Sequence, residues 1–453
     1  MKFPKSAADL SNAQNKIQLF PILLINFIGT LGFSIVLPFL VFLVKDFGGN
    51  AVVFGILSAT YPTFQLIGAP ILGRWSDNYG RKKILLLSNA GTLVGWIFFL
   101  VALFLPKENI LSVNSALLGT FVITLPLLVL FLARFIDGLT GGNISVANAY
   151  LADISSNENR SNNFGKMAIS SNLGFIVGPA LAAILGSTIF GNILPVLAAL
   201  ILSLVTLIVI AVTLKEFKSP SGVVLVPEKG TIRKVFAQEC KECYEVEDPK
   251  RKHGFKDVFK IKQISFLLML YFFIFLGFNI FYATFPIQAV NGLKWSITQL
   301  GIFYAVLSGM MVLVEGPVLR KALKKSSEEK LVVIGNLILG ASFILLVSNQ
   351  TILVYCAAVL FALGNGLMWP SVLSLLSKRA GVIHQGSVQG IAGSFGSLAS
   401  IIGLTIGGFL YHFLGAATFL ISAIVIFAVF IMSFRLLKDR NSDLGLQSSS
   451  VGL

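Results

Sequence analysis

Gly73-Arg74-Trp75-Ser76-Asp77-Asn78-Tyr79-Gly80-Arg81-Lys82-Lys83 is a short charged stretch framed by glycines and set between two long apolar runs, 51 to 72 and 84 to 105. Its glycines permit a tight turn and close backbone approach, and its single acid stands among four cations with which it can form an interlocked ion pair. Each flanking run is about 20 residues, enough at 1.5 Å rise per residue to cross a hydrocarbon layer of roughly 30 Å as a helix. The stretch therefore reads as the turn between two helices crossing one apolar layer.

Similar runs recur outward in both directions. Spans are predicted at 18 to 44, 51 to 72, 84 to 105, 117 to 149, 164 to 189 and 193 to 214, then at 264 to 290, 297 to 319, 330 to 348, 351 to 377, 386 to 411 and 416 to 437. A membrane barrel would alternate apolar and polar residues in segments of about ten, whereas these runs are apolar all round, so helices are expected throughout. The 453 residues are 55% hydrophobic and 12% charged, with a mean hydropathy of +0.85, which excludes an ordinary water-soluble domain. The first sixteen residues are polar and no small-residue cleavage site follows the first run, which reads as a retained span rather than a signal peptide.

The formal charge of +15 is a topology signal. With both termini in the cytoplasm, 31 of the 35 Lys and Arg residues fall on the cytoplasmic side, only Lys45, Lys107 and Lys294 lie opposite, and Arg134 lies within a span. Anionic lipid, not nucleic acid, is the partner this distribution implies. The longest polar stretch, 215 to 263, divides the chain into an N-terminal six-helix half (1–214), a cytoplasmic central loop (215–263), a C-terminal six-helix half (264–440) and a polar tail (441–453). Gly174-x3-Gly178 of the fifth span has a counterpart in Gly403-x3-Gly407 of the eleventh, and Gly73 to Lys83 has a degenerate one in Gly316 to Lys325. Small-x3-small spacing also serves ordinary helix packing. In the central loop, Cys240-x2-Cys243 and His253 lack a fourth ligand at ordinary spacing, so no metal is expected there.

The loop from Gly73 to Lys83 resembles the signature G-x-x-x-D-x-x-G-R-[RK]-[RK] of the major facilitator superfamily at every defined position. That resemblance implies an all-α membrane fold of twelve transmembrane helices in two pseudo-symmetric halves that rock about a midplane site. It also assigns gating roles to Gly73, Asp77, Gly80 and Arg81, with Asp77 facing a helix that begins near Ser387 and Arg81 pairing with Asp153. Arg134, in Arg134-Phe135-Ile136-Asp137-Gly138, resembles the membrane-embedded arginine of the superfamily's proton antiporters. A charge at mid-helix costs about 2.5–3.5 kcal/mol on insertion. Asp137, three residues on, shares its helix face. Asp137 and Glu315 are the acids that fall clearly within spans, which makes them proton-site candidates. Asp137 is read either as a permanent partner of Arg134 or as a coupling group, and Glu315 also reads as a snorkelling partner of Arg320. Gly174, Gly178 and Pro179 resemble the antiporter glycine-proline signature, with a helix bend expected at Gly178-Pro179.

Together with Gly364-Asn365-Gly366-Leu367-Met368-Trp369-Pro370-Ser371, these motifs resemble those of the drug:proton antiporter branch and, within it, the tetracycline-efflux proteins. Those proteins carry acids in the first and third spans where this chain has Gly29 and Gly95, which argues against tetracycline as the substrate. Asn26, Tyr61, Gln65, Asn172, Asn279, Tyr282, Asn365, Trp369 and Gln389 are, as a set, candidates to line a cavity for an amphipathic compound, although each taken alone reads better as helix packing. The expectation is therefore a secondary transporter, not an enzyme, that exports a small amphipathic molecule in exchange for protons. It would act as a monomer in a bacterial inner membrane and carry no cofactor. A metabolite, sugar or siderophore facilitator or symporter of the same fold is the alternative, and a membrane sensor or scaffold the non-transport one. The absence of a G-x4-G-K-[ST] loop argues against an ATP-driven pump.

Overall fold

Apolar residues on every helix face leave the chain one way to satisfy its backbone in lipid, which is intrahelical hydrogen bonding, and helices dominate the structure accordingly. The computed structural model describes residues 7–155, 160–216, 259, 261 and 263–450. Cys240, Cys243 and His253 lie outside the described residues. In chain order the elements are α1 (Ala7–Ser34), α2 (Leu40–Asp46), α3 (Ala51–Tyr79), α4 (Arg81–Phe104), β1 (Asn109–Ser115), β2 (Gly119–Thr124), α5 (Leu125–Leu139), α6 (Asn143–Asp153), α7 (Arg160–Gly186) and α8 (Ile193–Thr213). Then follow α9 (Ile264–Asn291), α10 (Ile297–Leu313), a π-helical turn (Val314–Val318), α11 (Leu319–Lys325), α12 (Glu328–Leu345), α13 (Thr351–Leu414), a 3₁₀ turn (Gly415–Ala417) and α14 (Thr418–Ser450).

Among the described residues, nine helical stretches are long and apolar enough to cross a membrane, with Gln18–Ser34 a shorter apolar helix. The twelve predicted spans do not appear as twelve separate helices, for identifiable reasons. The first is broken at residues 35–39 by Pro38, which has no backbone donor and disfavours helix in the residue before it. The tenth and eleventh fuse into α13, so no helix begins near Ser387; the linking residues 380–387 contain no proline to interrupt the hydrogen bonding. The eleventh and twelfth are separated only by the turn at Gly415, whose φ is +53°.

Further departures are local. The fourth span starts at Leu125, not 117, because residues 119–124 pair with 109–115 as an antiparallel hairpin. It then breaks at Thr140-Gly141-Gly142 between α5 and α6. Gly316 lies inside the π-helical turn rather than in a loop, beside Pro317, whose missing N–H loosens the helical ladder there. The helix α7 continues through Gly178-Pro179, where a bend was expected.

The chain folds as two units, one formed by Met1–Val235 with Trp295–Ala305 and the other by Phe236–Lys294 with Val306–Leu453. In the first, α1 packs on α7 and α8, α3 on α5, and α4 on α5 and α8. In the second, α13 packs on α9 and α12, and α14 on both of those. The glycine repeat has the same use in each. A methyl group at Gly174 would come within 2.9 Å of Phe27 O and Leu31 N of α1, and one at Gly403 within 2.9 Å of Leu276 O and 3.3 Å of Ile280 N of α9. Phe27, Thr30, Leu31 and Ser34 meet Gly174 and Gly178; residues 249 positions later, Leu276, Asn279, Ile280 and Ala283, meet Gly403 and Gly407. Backbones this close admit no side chain at the notch, which fixes one register per crossing.

Candidate functional site

Three clusters gather most of the residues singled out in the sequence. The first lies where α3 meets α4. Gly80 alone separates these helices, with φ +105° and ψ 145°, a conformation that a residue bearing Cβ rarely adopts. The turn brings Arg81 onto two acids. Its Nε donates to Asp153 Oδ2 at 2.9 Å, and its Nη1 donates to Ser76 Oγ at 2.7 Å and lies 2.5 Å from Asp77 Oδ1. The Arg81 and Asp153 side chains are 11% and 17% exposed, while Asp77 is 55% exposed, so the Asp153 arm is the better shielded. Gly73 stands one turn earlier and accepts from Ser76 Oγ at 2.6 Å. Glu216, which the sequence did not single out, accepts from the Lys82 amide at 3.2 Å, and its carboxylate fills the space that a side chain at Gly80 would occupy.

The second cluster is buried within the first unit. Arg134 is 6% exposed, its guanidinium lies over the Phe99 ring at 5.1 Å, and its Nη1 is 3.9 Å from Asp137 Oδ2. Asp137 Oδ1 accepts from Thr92 Oγ1 at 2.8 Å. Gly95 makes the room: a methyl group there would come within 3.3 Å of both Asp137 Cβ and Ala133 O. Gly95 of span three thus sits directly against the acid of span four. Gly138 packs on Tyr61 of α3, and Gln65 Nε2 donates to Tyr61 Oη at 3.0 Å and to Gly141 O at 3.1 Å, which brings both residues to this region. Thr92 and Phe99 were missed by sequence reasoning. Their signal is the spacing Ser88, Thr92, Gly95, Phe99, which puts two hydroxyls, a gap and a ring on one helix face.

The third cluster belongs to the second unit. Trp369 of α13 lies 5.0 Å from both Tyr271 and Phe275 of α9, and those two rings stack at 4.8 Å. Asn365, one turn before Trp369, directs Nδ2 to Met311 Sδ at 3.9 Å. The other candidates are not gathered here. Asn26 Nδ2 donates to Met167 O at 3.0 Å and to the Ser170 and Ser171 hydroxyls at 2.7 Å, which makes it a clasp between α1 and α7. Asn279 Nδ2 donates to Phe275 O at 2.8 Å within its own helix. Asn172 and Tyr282 are half-buried, Gln389 is exposed, and Glu315 is half-buried in the π-helical turn.

Buried charge inside a bundle of lipid-compatible helices, with a charged turn at one end, is the arrangement of a polytopic membrane protein. The chain belongs to the Major Facilitator Superfamily, whose model matches residues 22–393 and 316–452. It is 28% identical over 393 residues to the class E tetracycline resistance protein of Escherichia coli, covering 86% of each chain. It is 26% identical over 397 residues to multidrug resistance protein 2 of Bacillus subtilis (strain 168), covering 87% of this chain and 88% of that one. In fold it resembles the human organic anion transporter MFSD10 (TETRAN), with a TM-score of 0.63 at 19% identity over 92% of this chain and 99% of that one. It likewise resembles a D-xylose-proton symporter, with a TM-score of 0.67 at 15% identity over 92% and 96%. The protein is therefore a multi-pass membrane transporter related to drug exporters, and not an enzyme.

Proposed function

We propose that this transporter exports a small amphipathic organic compound in exchange for protons, by alternating access, with Asp137 as the proton-binding group. The observation that carries this reading is the spacing of Arg134 and Asp137. At 3.9 Å the two charges attract without a tight bidentate contact, and Thr92 holds the carboxylate in place independently. An acid held this way can gain a proton and lose its charge without losing its position. Neutralising it leaves Arg134 as an uncompensated cation in a dry site, a large enough change to bias which facing state is preferred. Gly73, Asp77, Gly80, Arg81 and Asp153 form the gate in this scheme, and Gly174 and Gly178, followed by Pro179, fix how α7 seats on α1 as the half moves. Glu315 is the secondary proton candidate. The halves 1–214 and 264–440 rock about the site, both termini and the loop between them face the cytoplasm, and the monomer works in a bacterial inner membrane. The relatives' names, which include tetracycline and multidrug resistance, support a drug-like substrate.

The test is transport in inverted vesicles or proteoliposomes. An imposed pH gradient, acidic inside, should drive uptake of an exported dye; uptake indifferent to that gradient removes the coupling. Asp137→Asn mimics the protonated acid and should insert normally but lose gradient dependence. Gradient dependence at the wild-type level in that variant removes Asp137 from the mechanism.

A further inference from the structure

Among the described residues of the second unit, Asn336, Asn365, Thr418 and Ser422 each bury a side-chain oxygen with no hydrogen-bond partner, and Asn365 is the one set beside an aromatic cluster. Asn365 is 5% exposed, and its Oδ1 has no hydrogen-bond partner, while Nδ2 faces only the Met311 sulfur. Thioether sulfur accepts but does not donate, so exchanging the amide ends would leave the same group short of a partner. An unmet buried acceptor is costly, and a transporter keeps one where something else meets it. Its position strengthens the point. Gly138 packs on α3 through Tyr61 as Gly366 packs on the π-helical turn through Val314, and Gly91 faces Thr140 as Gly335 faces Met368. Each pair matches residues 228 apart, from α5 and the turn after it to α13, which places Asn365 where the first unit has Asp137 and Trp369 where it has Gly141. The neutral acceptor thus occupies the proton site's counterpart, and one turn on, the same helix face carries an indole already flanked by Tyr271 and Phe275.

From this we infer that Asn365 and Trp369 form the specificity subsite of the exporter: Asn365 Oδ1 accepts from an exocyclic amine N–H on a planar aromatic substrate whose ring stacks against Trp369. The inference rests on the export reading above and adds the substrate class. A donor on the ring edge meets the orphan carbonyl, and a flat ring exploits an aromatic wall that a glycine at that position could not supply. Compounds of the same shape without the N–H leave the acceptor unmet and bind more weakly.

Two planar dyes that share a protonated ring N–H and differ in the exocyclic donor test it: proflavine, whose exocyclic amines carry N–H groups, and acridine orange, its tetramethylated relative. Binding to the purified full chain is read from dye fluorescence polarisation, and transport from pH-gradient-driven accumulation. Wild-type protein should prefer proflavine by about tenfold, the affinity equivalent of one well-made hydrogen bond. Asn365→Leu should erase the preference while keeping acridine orange affinity, and Trp369→Leu should weaken both dyes alike. Equal affinity for the two dyes, no binding of either, or a preference that survives in Asn365→Leu overturns the subsite. Gradient-driven transport without the preference spares the export reading and removes the subsite; the preference without gradient-driven transport does the reverse.

Discussion

The two units use one packing scheme and opposite chemistry. Arg134-x2-Asp137-Gly138 in the first unit stands where the second has Ala362-x2-Asn365-Gly366, and Asn26, which bridges to Met167 and Ser170, stands where the second has Phe275 against Gly396. The glycine seams are retained because backbone contact tolerates nothing larger. The side chains between the seams are free to diverge. The first unit thereby carries a buried ion pair where the second has a neutral amide beside a cluster of aromatic rings. A packing repeat can therefore be read from notch geometry even where the functional residues have no counterpart.

The sharpest way to break this contrast is to remove one member of each matched pair. Arg134→Leu leaves Asp137 buried without its cation and should destabilise the protein by about 3–5 kcal/mol, measured as loss of thermal stability in detergent. Asn365→Leu removes an unmet acceptor and replaces it with a side chain of similar size, so it should be neutral or stabilising by about 1–3 kcal/mol. Equal losses in the two variants would mean that the units are not chemically divided as argued.

A finer test addresses what holds the acid. Thr92→Val removes the hydroxyl that donates to Asp137 while keeping its shape, and should cost about 1.5–3 kcal/mol, the range for a hydrogen bond to a charged group. The loss should shrink in an Asp137→Asn background, because an amide is a weaker acceptor. Undiminished loss would assign Thr92 to packing alone. The seams come next. Gly174→Ala and Gly403→Ala each force a methyl group into backbone at about 2.9 Å, so each should cost about 1–3 kcal/mol, and the two values should agree within about 0.5 kcal/mol if the crossings are true equivalents.

Much of this was legible in the residues, and the gaps have physical causes. Span existence followed from apolar run length, and the charged turn from its glycines and its acid. What run length cannot show is an interruption within apolar sequence. Gly119-Thr-Phe-Val-Ile-Thr124 merges with span four by hydropathy, yet four of its six residues are β-branched and Gly119 has φ +74°, the signs of a strand entered through a turn. The fusion of spans ten and eleven was hidden differently: glycine and polar residues at 381–387 suggest a loop, but without proline nothing forbids helix. At the site, Arg134 and Asp137 stood out by the cost of charge within a span and, for Arg134, by family resemblance. Thr92 and Glu216 did not, because a threonine in a span and a glutamate in a loop are unremarkable until a partner is known.

The hairpin itself sets the smallest prediction, because it has no counterpart in the second unit, where α12 and α13 are joined by residues 346–350 alone. It is held to the α2–α3 turn mainly through uncharged contacts: the Val122 amide donates to Gly48 O at 2.9 Å, Thr124 Oγ1 to Phe47 O at 2.8 Å, and Asn50 Nδ2 to Leu118 O at 2.7 Å. Asn50 also caps α3 by accepting from the Val53 amide at 3.1 Å. The ion pair of Lys107 with Asp46, at 2.7 Å, adds charge to this junction, but the two side chains are 48% and 50% exposed. Water and salt screen a pair this open, so Lys107→Ala should cost no more than about 1 kcal/mol and the difference should vanish in high salt. Asn50→Ala, which loses a cap and a clasp together, should cost about 0.5–2 kcal/mol irrespective of salt. A larger, salt-insensitive loss in Lys107→Ala than in Asn50→Ala would move the junction's strength from its hydrogen bonds to its charge, and would extend the first unit's reliance on ion pairs from its buried centre to its hairpin.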